Sequence, residues 1–267
     1  MTLINHALRA GHARMPAAAA STVTALVAGG GGALGSAVFE ALLARRQFAH
    51  VRVLATRPLH AAVQGLETVI VETFDDALVP TEPPIADIAL IVFDRKRHAN
   101  GRELAFLRPA PEALAPLAAW LHRRGVRGLI VVLPHSPAGL PDALKAGLAT
   151  LDEQAVAALG FEQLVFVRSA QPPSNIRARQ WLQRLADGLL AQMRIMVAST
   201  NQPVRAAKVA RFVVELAAQL GASAHGTRVV PPELVWQAAQ MRDPAALVEA
   251  WLAARELPAI NAPRMRL

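Results

Sequence analysis

The sequence contains no cysteine and no tyrosine, and aromatic residues make up only 4% of its 267 positions. Without cysteine the chain has no disulfide, no thiolate metal ligand and no cysteine nucleophile. The eight histidines show no paired ligand spacing, so we expect no metal site. The net charge of +8 comes mostly from arginines in short, scattered clusters, and the few aromatic residues offer no base-stacking platform. This pattern favours a solvated arginine-rich surface over a nucleic-acid interface.

Long helical hydrophobic runs are also missing, although 53% of the residues are hydrophobic. Residues 15–39 carry no charge, but they include a proline and four consecutive glycines, whereas a membrane-spanning helix needs about 20 mainly apolar residues. The first residues contain Arg9 and Arg14 without a compact apolar core, which is not typical of a secretory signal. We therefore expect a cytoplasmic protein without membrane contact, in which residues 1–20 form a mobile arm.

Short β-branched segments alternate with alanine- and leucine-rich segments along most of the chain. Strands that are apolar on both faces and separated by helices are typical of a parallel sheet covered on both sides. The sequence therefore predicts a doubly wound, Rossmann-like α/β fold with a dinucleotide-binding domain over 21–170. The predicted strands are 23–28, 51–55, 68–71, 88–93, 129–133 and 164–167, and the predicted helices are 33–46, 112–124 and 142–159.

From 171 to 267 the strand and helix alternation gives way to longer helical repeats, predicted at 175–196 and 204–220, with one short strand at 227–230. We expect a mostly helical region packed on the same domain. Phe212, Leu216 and Leu220 recur at helical spacing in the second repeat, and such a stripe most simply faces the core. It would also allow a homodimer.

A run of glycines lies between the first predicted strand and the first predicted helix. It fits Gly-x-Gly-x-x-Gly as Gly30, Gly32 and Gly35, and Gly-x-x-Gly-x-x-Gly when it is begun at Gly29. One glycine of such a loop permits a tight turn, another lets the backbone approach a pyrophosphate, and the last lets helix and strand pack closely. The helix N-terminus then faces the anion. The loop predicts a dinucleotide site, with a merely structural glycine turn as the alternative.

The end of the second strand distinguishes between the two nicotinamide cofactors. An NAD site has an acidic residue there for the ribose 2′-hydroxyl, whereas an NADP site favours an arginine. This sequence has Thr56 and Arg57 and no acid, so it predicts NADP(H) over NAD(H); the alternative is that Arg57 is a surface residue before Pro58. The residues predicted to bind the cofactor are Gly29, Gly30, Gly32, Ala33, Leu34, Gly35, Thr56 and Arg57.

These features resemble the short-chain dehydrogenase/reductase superfamily, in particular its extended and atypical NAD(P)-binding branch, over about residues 23–168. The segments 118–133 and 153–168 add to the resemblance, and the second ends in Arg168 before what the family uses as a substrate-facing loop. The resemblance implies a dinucleotide cofactor and an oxidoreductase or epimerase-like activity on a small molecule. It names no particular substrate.

The family's catalytic pair is Tyr-x-x-x-Lys, in which the tyrosine is the acid or base and the lysine lowers its pKa. When the family pattern is aligned on Glu153, the tyrosine position falls on Lys145 and the lysine position on Ala149, while the family's hydroxyl residue falls near Pro134. The usual proton relay is therefore missing from this chain.

Two residues are candidates to replace that relay. His135 follows the fifth predicted strand and titrates near neutral pH, and Lys145 could donate a proton if burial depressed its pKa. In the simpler interpretation they are a loop residue and a solvated residue. Asp94, after the fourth strand, lies near the expected path of the cofactor or belongs to a surface ion cluster with 95–97. The chain is thus either an NADP-dependent enzyme with a non-standard relay or a non-catalytic, NADP(H)-dependent sensor or partner-binding protein.

Overall fold

A computed structural model of the chain describes residues 23–58, 65–74, 83–94, 105–133, 150–168 and 206–258. These residues form a seven-stranded sheet in which every neighbouring pair is parallel. The strands are β1 (Val23–Ala28), β2 (Phe48–Ala55), β3 (Leu66–Ile70), β4 (Ile88–Val92), β5 (Gly128–Val132), β6 (Gln163–Val167) and β7 (Gly226–Val230). The sheet order is β3-β2-β1-β4-β5-β6-β7, which confirms the predicted doubly wound, Rossmann-like fold.

Helices cover both faces of this sheet. Those in the described part are α1 (Ala33–Leu43), α2 (Leu114–Arg123), α3 (Leu151–Ala157), α4 (Ala206–Leu220), α5 (Pro232–Gln240) and α6 (Ala245–Leu252), with a short 3-10 helix at Pro111–Ala113. One hydrophobic core lies under α1, α4, α5 and α6, and the other lies under α2 and α3. Every residue of β4, β5 and β6 is buried, as expected for central strands covered on both sides.

The predicted strands agree with the observed ones to within three residues at each end. The predicted helix 204–220 is α4, whose Phe212, Leu216 and Leu220 are fully buried against the sheet. The short C-terminal strand is β7, which pairs parallel with β6 and extends the same sheet. The first part of predicted helix 142–159 and all of predicted helix 175–196 lie outside the described residues. None of the helices in the described ranges is long and apolar enough to cross a bilayer.

A buried carboxylate fixes the position of α1 against α4. Glu215 of α4 is 6% exposed, forms an ion pair with the Arg45 guanidinium at 2.5 Å and accepts a hydrogen bond from the Gln219 amide at 2.7 Å. Arg45 lies two residues beyond the end of α1, so the ion pair holds the C-terminal end of that helix.

Candidate functional site

The strand order reverses between β1 and β4, which are neighbours in the sheet but not consecutive in the chain. In open parallel sheets a crevice forms at the carboxyl ends of the strands at such a point, and ligands bind there. The glycine turn, residues 29–32, connects β1 to α1 at this crevice. Gly29 has a φ of +101°, and a Cβ on it would lie 2.1 Å from the carbonyl oxygen of Val92. Both the backbone conformation and the contact with β4 therefore require glycine at this position.

The first turn of α1 packs tightly onto the glycine turn. A Cβ on Gly35 would lie 1.8 Å from the carbonyl oxygen of Gly29, and the Ser36 hydroxyl donates to the carbonyl oxygen of Gly30 at 3.1 Å. Gly32 precedes the helix in an extended conformation and offers no side-chain cap. The first backbone N–H groups of α1 and the positive end of the helix dipole therefore lie at the crevice, where an anion is stabilised.

A carboxylate of the protein itself contacts this helix end. Asp94 lies two residues beyond the end of β4, and the backbone N–H of Leu34 donates to its Oδ2 atom at 2.6 Å. A Cβ on Gly32 would lie 2.3 Å from the same Oδ2 and 2.7 Å from the Cβ of Asp94. The space that Gly32 leaves open is thus filled by the Asp94 side chain, whose negative charge suits the N-terminus of α1. Asp94 therefore lies beside the glycine turn. Residues 95–97, with which the sequence alternatively grouped it in an ion cluster, lie outside the described residues.

Residues 105–108, called the crossing segment here, lie between the glycine turn and the end of β2. Phe106 pairs antiparallel with Ala55 in a single bridge. Leu107 donates its N–H to the carbonyl oxygen of Leu54 at 2.9 Å and accepts from the N–H of Gly29 at 3.1 Å. The segment therefore ties the glycine turn to β2 through backbone hydrogen bonds. The sequence analysis did not find it, since a bridge of one residue has no periodic signature.

Side chains of the crossing segment cover part of the glycine turn. A Cβ on Gly30 would lie 3.0 Å from the Phe106 ring, which stacks edge to face with Phe39 at a centroid distance of 6.3 Å. The Arg108 guanidinium donates to the carbonyl oxygen of Gly31 at 3.1 Å. Each motif glycine that we predicted to bind a cofactor therefore also has a contact within the protein. Each contact either requires a small residue at that position or fills the space beside the glycine.

Thr56 and Arg57 follow β2 at the same edge of the sheet. The backbone N–H of Thr56 donates to the carbonyl oxygen of Ala105 at 2.8 Å, and its hydroxyl donates to the same oxygen at 3.3 Å. Arg57 is exposed, and among the described residues its guanidinium makes no hydrogen bond or ion pair. Because β2 is adjacent to β1, this cation lies on the side of the crevice where the adenosine half of a dinucleotide binds in Rossmann folds.

A buried ion pair lies on the other side of the crevice. Arg168 follows β6 and donates from Nη1 and Nη2 to Oε1 and Oε2 of Glu153 at 2.8 and 3.0 Å. The two side chains are 6% and 2% exposed, and the Thr150 hydroxyl caps the same turn by accepting from the Glu153 N–H at 3.2 Å. The forked pair fixes the start of α3 against the end of β6. His135 and Lys145 lie outside the described residues, so the structure does not show whether they approach this site.

A separate cleft of about 510 Å³ opens at the opposite, amino-terminal edge of the sheet. Its lining includes Asp87, Arg127 and Glu162 beside the C-terminal end of α4. Asp87 accepts from the N–H of Thr24 at 2.8 Å and from Arg127 at 3.2 Å.

In the described ranges no group of three histidine or acidic side chains is arranged to hold a metal ion. The crevice at the glycine turn is therefore the better candidate site, on the grounds of topology and backbone chemistry rather than volume.

No protein-family model matches the chain, and no curated protein matches it in sequence. It is similar in structure to a Rossmann-fold NAD(P)-binding family protein from Shigella flexneri, with 15% identity, a TM-score of 0.44, and coverage of 79% of this chain and 94% of that one. It is also similar to the oxidoreductase ylbE from Lactococcus lactis, with 12% identity, a TM-score of 0.40, and coverage of 77% and 89%. A third similar structure is the enzyme WbmF from Bordetella bronchiseptica in complex with NADH, with 12% identity, a TM-score of 0.41, and coverage of 92% and 83%. These similarities carry no argument about function, and the fold follows from the strand order itself.

Proposed function

We propose that this chain binds a nicotinamide dinucleotide at the glycine turn, with its diphosphate at the N-terminus of α1. The proposal rests on one observation: a strand, a glycine turn and a helix N-terminus meet at the point where the strand order reverses. The Leu34 N–H already holds a carboxylate oxygen, so the helix end is chemically able to bind an anion. When bound, the nicotinamide would supply hydride-transfer chemistry.

The backbone around the turn fits such a group. Gly29 and Gly35 form the tight turn and the close helix contact that a dinucleotide loop needs. The Leu34 amide is the position for a phosphate oxygen, and the diphosphate would reach it by displacing the Asp94 carboxylate.

We further propose that NADP(H) is preferred to NAD(H). No acidic residue stands at the end of β2 to accept the ribose 2′-hydroxyl, and Arg57 extends there into solvent. A guanidinium presents two parallel N–H donors, which suit the two oxygens of a 2′-phosphate. The preference therefore depends on this one exposed cation.

Calorimetric titration with NADPH, NADP, NADH and NAD tests both statements. We expect Arg57→Ala to weaken NADPH binding by about tenfold or more and to leave NADH binding unchanged, because a hydrogen bond to a charged group contributes about 1.5–3 kcal/mol. Arg46→Ala is the matched control, since Arg46 is also exposed but lies beyond the C-terminal end of α1. Equal losses for NADPH and NADH would remove the NADP preference, and no binding by any of the four would remove the proposed function.

Two activities are compatible with this site. The lack of any tyrosine favours a non-catalytic, NADP(H)-dependent sensor or partner-binding protein. The second candidate is an oxidoreductase in which His135 or Lys145 moves the proton. Transfer of deuteride from 4-deuterated NADPH to a panel of carbonyl compounds decides between them. Product that disappears in His135→Ala or Lys145→Ala, with NADPH binding retained, would establish the enzyme; no transfer would support the sensor.

A further inference from the structure

We propose that the cleft at the amino-terminal edge of the sheet is a second binding site, which takes a small organic cation of the primary alkylamine class. It lies at the opposite edge of the sheet from the glycine turn, so the proposal does not depend on the function proposed above. Its volume of about 510 Å³ is within the range of about 300–1,000 Å³ that small-molecule sites occupy. Its lining combines unfilled space, a buried amide that has no partner among the described residues, and an excess of negative charge.

Glycines leave the space of the cleft open on two sides. On the sheet side, a Cβ on Gly128 would meet its nearest atom, Cγ1 of Ile88, at 3.4 Å, which is ordinary van der Waals contact. On the helix side, a Cβ on Gly221, just after the end of α4, would have no atom within 4 Å. A larger side chain would therefore fit at either position, and the cleft is the space that these residues leave.

The buried amide belongs to Gln163, the first residue of β6. Side chains alternate between the two faces of a strand, and Val165 and Val167 lie in the core under α4, so Gln163 lies on that face as well. It is only 6% exposed and lines the cleft, and its side-chain amide makes no hydrogen bond with the described residues. Buried polar groups nearly always have a hydrogen-bond partner. A ligand in the cleft would supply it.

The charges that line the cleft are predominantly negative. The lining holds two carboxylates, Asp87 and Glu162, and one guanidinium, Arg127, which already pairs with Asp87 at 3.2 Å. Glu162 is 42% exposed, and its ion pair with His225 is long, at 3.9 Å. The last turn of α4 adds backbone carbonyl oxygens and the negative end of the helix dipole. The cleft therefore favours a cation over an anion.

A primary alkylamine fits this lining. Its ammonium group has three N–H donors, which suit the amide oxygen of Gln163, the carboxylate of Glu162 and a carbonyl oxygen at the end of α4. Its alkyl part would lie on the apolar wall formed by Val23, Phe48 and Ile88. A neutral analogue would lose the attraction to the carboxylates, and an anionic one would be repelled by them.

Three probes with the same four-carbon body test the proposal on the full chain: butylammonium, butanol and butyrate. The side-chain amide signals of Gln163 in the nuclear magnetic resonance spectrum of the isotope-labelled protein are identified by their loss in Gln163→Leu. The backbone signal of Gly221 follows binding in every variant. We expect butylammonium to shift both sets of signals to saturation, and butanol and butyrate to bind at least about tenfold more weakly.

Two variants remove single features of the cleft. Gln163→Leu keeps the size of the side chain but removes the amide, and it should weaken butylammonium binding about fivefold or more. It should also leave the thermal unfolding midpoint unchanged or higher, because the amide has no partner to lose among the described residues. Gly128→Ala fills part of the cleft without a clash and keeps every charge, and it should weaken binding as well.

A pair of charge variants completes the set. Glu162→Gln removes one carboxylate of the lining and should weaken butylammonium binding about threefold or more, because the group is partly exposed. Glu249→Gln is the matched control, since Glu249 is also an exposed carboxylate with a basic partner but is not part of the cleft lining. It should bind butylammonium as the original chain does.

Selective binding of butylammonium that is weakened in the three cleft variants and retained in Glu249→Gln supports the proposal. It is overturned if butylammonium gives no saturable shift or if butyrate binds as tightly. Unchanged binding in either Gln163→Leu or Gly128→Ala, or an equal loss in Glu249→Gln, would place the amine elsewhere and overturn it too. A Gln163→Leu variant that unfolds at a lower temperature would give the amide a structural role instead.

Discussion

The buried ion pair of Glu153 and Arg168 should contribute strongly to the stability of the fold. Its two hydrogen bonds, at 2.8 and 3.0 Å, join groups that are almost completely removed from water. Substitution of one member of such a pair leaves a buried charge without its counterion and costs about 3–5 kcal/mol. We therefore expect Glu153→Gln to remove a large share of a total stability of about 5–15 kcal/mol. At about 2–4 °C per kcal/mol, the melting temperature should fall by roughly 6–20 °C.

Urea denaturation followed by circular dichroism measures the loss, and a double-mutant cycle assigns it to the pair. Arg168→Met alone should also be strongly destabilising. The double variant Glu153→Leu with Arg168→Met removes both charges and should cost at least about 2 kcal/mol less than the sum of the matching single substitutions. This variant also keeps the test informative if Glu153→Gln does not fold.

An exposed ion pair supplies the matched control. Arg255 and Glu249 are 2.5 Å apart but 60% and 65% exposed, so Glu249→Gln should cost no more than about 1 kcal/mol. A Glu153→Gln variant as stable as the Glu249→Gln variant would refute the reasoning. Strict additivity in the double-mutant cycle would refute it as well, because the two buried groups would then not depend on each other.

Two further changes probe the glycine turn and the sheet edge. Gly32→Ala should lower the melting temperature, because the added Cβ would lie 2.3 Å from Asp94 Oδ2. Asp94→Gly in the same chain should restore much of this loss. Gly35→Ala should show no such rescue by Asp94→Gly, because its Cβ would lie 1.8 Å from a backbone oxygen. At the edge, the hydrogen bond from Arg52 at 2.8 Å lowers the pKa of Glu67 below its ordinary 4.5. This contribution to stability is present above pH 4.5 and is lost as the pH falls through the lower pKa that Glu67 has in the folded state. The melting temperature of Glu67→Gln should therefore fall less steeply between pH 7 and 3 than that of the original chain. The side chain is 42% exposed, and the difference should therefore stay within about 1 kcal/mol.

The strands could be predicted closely from the sequence because buried parallel strands are short, apolar on both faces and bounded by helices. The largest error was at the start of β2, which begins at Phe48 rather than at 51. Ala49 and His50 are exposed and interrupt the apolar pattern between the buried residues Phe48 and Val51, although the backbone pairing with β1 continues through His50. Hydrophobic pattern reports burial, and it does not detect backbone pairing that continues outside the core.

The contacts that define the candidate site depend on tertiary structure and had no local signal. Leu34 and Asp94 are 60 residues apart, and Arg108 reaches Gly31 over 77 residues. The glycine pattern indicates that the backbone must turn tightly and pack closely at that point, which it does. It does not show which group fills the space, because a carboxylate of the chain and a phosphate of a cofactor both need a glycine there.

The shape of the glycine turn therefore does not identify the group that binds there, and the charge at the N-terminus of α1 has to be considered. The chain has a carboxylate at the helix end, in a 2.6 Å hydrogen bond with the Leu34 N–H. Such a contact stabilises a helix N-terminus within the protein, and it is also the interaction that a helix N-terminus offers to a phosphate. A phosphate that bound at this N–H would have to displace the carboxylate. The affinity of the site is therefore set by the difference between two similar interactions, and a single neutralising substitution should change it without altering the fold.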